Sequence, residues 1–390
     1  MTQISFGLAA SVLAMAAMLS GAGTASARTF VYVSAATAGA IDTYSMDEKT
    51  GALLQVSTFN AGKMVMPMTV SADKKHLYAV IRSQPYRVLT LAIDPATGKL
   101  SQEAVAALPD SMPYVSTDPS GRLLFAASYG GNKIAVLPIG RDGLVTDGAR
   151  QMILTGRNAH SIVSDRTGGY VFATNLGSDA VLQFVLDPET GMLEANDPAK
   201  VATKPGFGPR HIIVSPDNKS VYILTELTGH VIHYALDAAK GTLSEVESVK
   251  SVPDDAGLFP GIAPPAPAAF NATAPVATPA DDGKPKVWAA DIGITPNGKF
   301  LYTTERTTSR IALFQVAAGD GKLTYVTNYP TEQQPRGIRI DPSGRFLVAS
   351  GEKSDRLAVY AIDQASGALT PAGRYPVDAG ANWIEIVTLP

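Results

Sequence analysis

The chain has 390 residues, 45% of them hydrophobic, with a formal net charge of -3 and no cysteine. That is enough apolar material for a large core, and the charge leaves no basic footprint for nucleic acid. Without a thiol there is no disulfide framework, no thiolate nucleophile and no cysteine-ligated zinc or iron–sulfur cluster.

The first element is a compact apolar run from Leu8 to Leu19, followed by Ala25-Ser26-Ala27, with no Lys or Arg ahead of the run. The run is short for a bilayer span, and the small residues suit a signal peptidase. Residues 1–27 are therefore expected to be an export signal. Its removal would leave a mature chain that starts at Arg28, has no membrane span and resides in the periplasm or outside the cell.

From there a turn followed by an apolar strand recurs. Its copies are Asp73 to Tyr78, Pro119 to Phe125, Asp165 to Phe172, Pro216 to Tyr222, Pro296 to Tyr302 and Pro342 to Val348. The closing residues are separated by 47, 47, 50, 80 and 46 positions. The one long gap holds Pro253 to Pro285, with eight prolines and many alanines, a composition that reads as a loop inserted into an otherwise regular repeat.

A second marker, Asp-x-x-Thr-Gly-x-Leu, occurs from Asp47 to Leu53, Asp94 to Leu100 and Asp187 to Leu193, with variants that bring the number of units to seven. Each unit reads as four short runs joined by Gly/Asp/Asn/Pro turns. In the fullest copy the runs are Arg210 to Ser215, Ser220 to Leu224, Val231 to Leu236 and Leu243 to Val249. A period in the forties with four strands per unit predicts an all-β, seven-bladed β-propeller, a single domain over residues 28–390. The chain opens on a second strand, Phe30 to Val33, and ends on an innermost one, Asn382 to Val387. The C-terminal run is thus expected to complete the N-terminal blade and close the ring.

In such a blade the innermost strand and its neighbour are antiparallel, so the start of one and the end of the other lie at the same mouth of the channel. Twelve residues before each closing residue stand Met66, Pro113, His160, Arg210, Ala290 (beside Asp291) and Arg336. Four residues after it stand Arg82, Tyr129, Leu176, Glu226, Arg306 and Glu352. Several guanidinium groups in one place suit a carboxylate or phosphate, and Glu226 and His160 are candidates for acid–base work. Register alone leaves open whether each arginine binds ligand or pairs with a neighbouring carboxylate, and whether His160 is catalytic or structural. His76 reads as part of an outer turn. By strand alternation, His211 should point away from Arg210 and pack against a neighbouring blade.

Ala159-His160-Ser161, Gly208-Pro209-Arg210-His211, Thr225-Glu226-Leu227, Trp288 to Ile292, Glu305-Arg306-Thr307, Gln334 to Gly337 and Gly351 to Ser354 resemble the lactonase seven-bladed propeller family. That family includes the bacterial 6-phosphogluconolactonases and the carboxy-muconate lactonizing enzymes. The resemblance implies an enzyme without metal or other cofactor that hydrolyses a small anionic lactone. It casts His160 and Glu226 as catalytic residues and Arg210 and Arg306 as substrate-binding residues. Arg336, Asp291 and Tyr129 are added to the substrate-binding set from their places at the mouth. A lactonizing cycloisomerase and a non-catalytic binding propeller are the alternatives, and the protein is expected to act as a monomer.

Overall fold

A computed structural model describes residues 27–263 and 282–390, together with Met1. The expected export signal up to Ser26 and the middle of the Pro/Ala-rich insertion lie outside the described residues. Seven antiparallel sheets of four strands each make the propeller. The innermost strands are Ala381–Leu389 in blade 1, Val65–Val70 in blade 2 and Tyr114–Thr117 in blade 3. Ala159–Ser164, Pro209–Val214, Ala289–Ile294 and Pro335–Ile340 follow in blades 4 to 7. Each contacts the innermost strands on either side, around a closed ring. Closure is made as the sequence predicts, with Phe30 opposite Val387 and Tyr32 opposite Glu385.

Burial explains the composition of each strand. A second strand such as Ser220–Thr225 is covered on both faces by adjacent blades, and all six of its residues are buried. An outermost strand such as Leu100–Ala107 is largely exposed and carries Ser, Gln and Glu. This is why the middle of each unit reads as a continuous apolar run and its end does not.

The two sequence markers are two halves of one contact between blades. The Tyr302 hydroxyl donates to the Gly367 carbonyl at 2.7 Å, and the Tyr32 hydroxyl donates to that of Gly98 at 2.9 Å. Both glycines take φ near +70° and lie against an aromatic ring of the preceding blade, Phe300 for Gly367 and Phe30 for Gly98. A Cβ there would be strained and would strike the ring, so the turn requires glycine.

At the mouth, six of the innermost strands begin with a register shift, at Val65/Met68, Ala159/Ile162, Pro209/His211, Ala289/Ile292, Pro335/Gly337 and, in blade 1, Ala381/Trp383. Such a bulge sets two residues against one and re-aims side chains. In blade 5, Pro209 pairs with Thr225 and His211 with Leu224, leaving Arg210 as the extra residue. The described ends of the insertion are anchored at this same face. Gly261 N–H donates to the Leu227 carbonyl at 2.7 Å, and Phe259 bridges to Lys286.

Candidate active site

Glu226 follows the second strand of blade 5 and its carboxylate sits between two arginines. Arg210 Nε donates to Oε2 and Arg306 Nη2 to Oε1, both at 2.8 Å. Arg210 is among the largest fully buried side chains, and burial pulls its guanidinium down to about 10, opposed by Glu226. Burial by itself would raise the Glu226 carboxyl, but Arg306 and Arg210 outweigh it and hold the group below the usual carboxylate range. Glu226 is thus an anion at neutral pH.

His160, in blade 4, is buried. Its Nε2 lies 4.0 Å from Glu226 Oε2, too far for a direct hydrogen bond, and its Nδ1 has no hydrogen-bond partner. Burial, then the charge of Arg210, keeps the imidazole well below its ordinary pKa, so it is neutral. Tyr129, after the second strand of blade 3, meets the His160 ring edge-on at 5.7 Å between centroids. Burial and the Glu226 charge raise its hydroxyl pKa, so it remains a neutral donor.

One residue along, the structure corrects the reading of His211. It does not pack between blades away from Arg210; the bulge turns both side chains to the channel, where Arg210 Nη1 meets His211 Nε2 at 2.9 Å. A guanidinium can only donate, so Nε2 accepts and the imidazole proton resides on Nδ1. That proton is donated to Asp291 Oδ1 at 2.8 Å. Burial and the Arg210 charge push His211 down to about 4, which preserves this neutral tautomer. Asp291 also accepts from the backbone N–H groups of Ile292 and Ile338, both at 2.9 Å. Together with the bond from Arg210 Nη1 to the Ala290 carbonyl, it ties the guanidinium to blades 6 and 7. His76 is likewise not in a turn. It begins the strand His76–Ile81, is buried, and meets Glu103 at 2.9 Å.

Arg336 stands across the mouth, where Nη1 contacts Glu352 Oε1 at 3.2 Å. Arg82 lies nearby, its Nε donating to Ser111 Oγ at 3.0 Å. Burial, then the charge of Arg336, lowers Arg82 to about 10. Four guanidinium groups, Arg82, Arg210, Arg306 and Arg336, therefore face two carboxylates, Glu226 and Glu352, leaving an excess of positive charge at this end. Below, His211, Asp291, Tyr114 and Trp383 line a cavity of about 250 Å³ toward the opposite face. A cavity of about 870 Å³ lies apart from these groups, between the Asp47 and Thr97 turns of blades 1 and 2.

The structure thus brings His160, Glu226, Arg210, Arg306 and Tyr129 to one point, places Arg336 across the mouth and sets Asp291 one layer deeper. The sequence reading missed His211 in the channel, and also Trp288 and Lys353, which line a cleft beside Arg306.

The mouth of the closed seven-bladed ring thus carries a neutral imidazole, an ionised carboxylate and clustered arginines, a set of groups whose chemistry suits a small anion. The chain belongs to the family described as Lactonase, 7-bladed beta-propeller, which matches residues 30–386. It is 38% identical over 291 residues to the 6-phosphogluconolactonase of Pectobacterium carotovorum subsp. carotovorum, covering 74% of this chain and 78% of that protein. With the 6-phosphogluconolactonase of Serratia proteamaculans it shares 37% identity over 311 residues, covering 80% and 84% respectively. Among solved structures, the periplasmic gluconolactonase of Pseudomonas aeruginosa superposes with a TM-score of 0.79 at 26% identity, over 93% of this chain and 100% of that one.

Proposed function

We propose that the protein is a lactone hydrolase that opens a sugar-acid lactone bearing negative charge, with His160 as its general base. The observation that carries this reading is the state of His160: buried, neutral, without a partner on Nδ1, and 4.0 Å from a carboxylate. An imidazole of that kind is free to take a proton from a water molecule. The water oxygen bonds to the lactone carbonyl carbon, and the proton passes to His160. The C–O bond to the ring oxygen then breaks, and the departing alkoxide takes the proton back from the imidazolium. Glu226 stabilises the imidazolium in between. Arg210 and Arg306 face the carbonyl and donate to its developing oxyanion, and the net positive mouth attracts the substrate. Asp291, through His211, fixes the orientation of Arg210.

The relatives named 6-phosphogluconolactonase and gluconolactonase support this chemistry. Export of the chain, with residues 1–27 removed, accords with the periplasmic neighbour, and among the described residues no helix is long and apolar enough to cross a membrane. The strands on either side of the insertion belong to consecutive blades, Thr242–Lys250 to blade 5 and Ala289–Ile294 to blade 6. This supports one propeller domain interrupted by a loop. The test is a panel of plain and phosphorylated aldonolactones, with acid release followed and spontaneous hydrolysis subtracted. Turnover of none of them by the wild-type protein overturns the assignment.

A further inference from the structure

We infer that the cleft between blades 6 and 7 at the mouth binds the oxyanion carried on the far end of the substrate, a phosphate monoester or a carboxylate remote from the lactone carbonyl. This rests on the lactone-hydrolase reading of the neighbouring site. The cleft has a volume of about 430 Å³ and is lined by Trp288, Arg306, Thr307, Ser309, Gln333 and Lys353, among others. Its size is that of a small-molecule pocket.

Three features give it this chemistry. Arg306 belongs to both places: Nη2 holds Glu226 at 2.8 Å and Nε donates to the Trp288 carbonyl at 3.0 Å, while the same residue lines the cleft. A ligand whose carbonyl lies at Glu226 therefore has the cleft one guanidinium away. Lys353 is exposed on the other wall, and its ammonium forms no ion pair with any described residue, unlike Arg306 and Arg336. The carboxylate that precedes it, Glu352, is already engaged by Arg336 and by Gln334. Among the described residues no carboxylate lines the cleft, and its walls present the Lys353 ammonium, hydroxyl and amide groups, and one indole. An oxyanion with several acceptor atoms matches that set, whereas a neutral hydroxymethyl group would leave the ammonium unused.

The experiment uses the purified full chain, wild type and Lys353→Ala, and measures both binding and turnover. Calorimetry compares gluconate with 6-phosphogluconate and with glucarate; kinetics compare the corresponding lactones. The wild type should bind one of the two tail-bearing acids about tenfold or more tighter than gluconate, as expected for one charge-assisted contact. The tighter of the two identifies the oxyanion. Lys353→Ala should remove most of that preference, in both dissociation constant and kcat/KM, and Lys353→Arg should restore it. A wild type without preference, or a preference unchanged in Lys353→Ala, overturns the inference. The two readings fail separately: hydrolysis without tail preference sinks the cleft alone, and tail preference in a protein that hydrolyses no lactone sinks the hydrolase alone.

Discussion

Replacing His160 by glutamine separates catalysis from stability in this site. The imidazole has no hydrogen bond to lose at Nδ1, and its Nε2 is 4.0 Å from the nearest carboxylate oxygen. Its contacts are ring edges, with Tyr129 at 5.7 Å and His211 at 5.2 Å between centroids. Losing two such contacts costs about 1–2 kcal/mol, partly regained because glutamine fills most of the volume. The charges around it are untouched, since the ring is neutral. A missing general base, by contrast, costs roughly 100- to 10,000-fold in rate, or about 3–5 kcal/mol of barrier. The assay is kcat/KM by acid release on the best lactone of the panel, alongside a thermal melt of the same preparation. The expected result is loss of at least 100-fold in kcat/KM with a melting temperature lowered by only a few degrees. Retention of more than a tenth of the activity, or a collapse of the melt in step with the rate, would refute the role given to His160.

Glu226→Gln should behave differently, because it leaves two guanidinium groups facing each other without the carboxylate that both hold. We expect loss of turnover together with about 3 kcal/mol of stability, measured by denaturant unfolding; a variant as stable as the wild type would contradict the buried pairing. His211 stays neutral down to about pH 4 in the folded protein, whereas a free imidazole protonates near 6.5. Unfolding therefore takes up a proton between these values. His211 thus makes a contribution that is fully present above pH 6.5 and lost as the pH falls toward 4, about 3 kcal/mol in all. His160 acts in the same direction. A melting temperature that is flat between pH 7 and pH 5 would contradict this. Tyr302→Phe removes the hydroxyl that reaches the Gly367 carbonyl of the next blade and should cost about 1 kcal/mol in the same unfolding assay, with kcat/KM unchanged; no loss of stability would mean that the latch is incidental.

The fold was legible because its markers are contacts. Where the closing residue is a tyrosine, its hydroxyl meets a glycine turn in the next unit, so the two recur together in the chain, as Tyr78 and Gly143, Tyr222 and Gly321, and Tyr302 and Gly367 do. Ring closure could be read for a similar reason, since each end of the chain holds only part of a unit. The mouth residues could be found by counting, because the distance from Tyr222 back to Arg210 is fixed by two strands and a turn. His211 could not, since alternation assumes an unbroken ladder and the bulge at Pro209/His211 breaks it. A trace of the bulge is present upstream: Gly208 takes φ +66°, and Met64, Asn158 and Gln334 take similar values at the same place in blades 2, 4 and 7. Only the glycine and the asparagine advertise that conformation. Trp288 and Lys353 lie outside the strands, on loops whose path the repeat does not set.

The bulge also explains how one set of cations can serve both binding and catalysis. Because Arg210 and His211 face the channel from consecutive positions, the guanidinium is held from below by a neutral imidazole and from above by Glu226. Arg210 then acts on everything around it at once. It contributes to keeping His160 unprotonated, it helps to keep Glu226 ionised, and it adds to the field that draws an anion into the mouth. These effects are not separable by a single substitution. Removing the Arg210 charge would raise the basicity of His160 while weakening the grip on the substrate, so the activity that survives should shift toward higher pH as it falls. Each charge at the mouth sets the protonation state of its neighbour, and the closed ring of blades is what holds them close enough to do so.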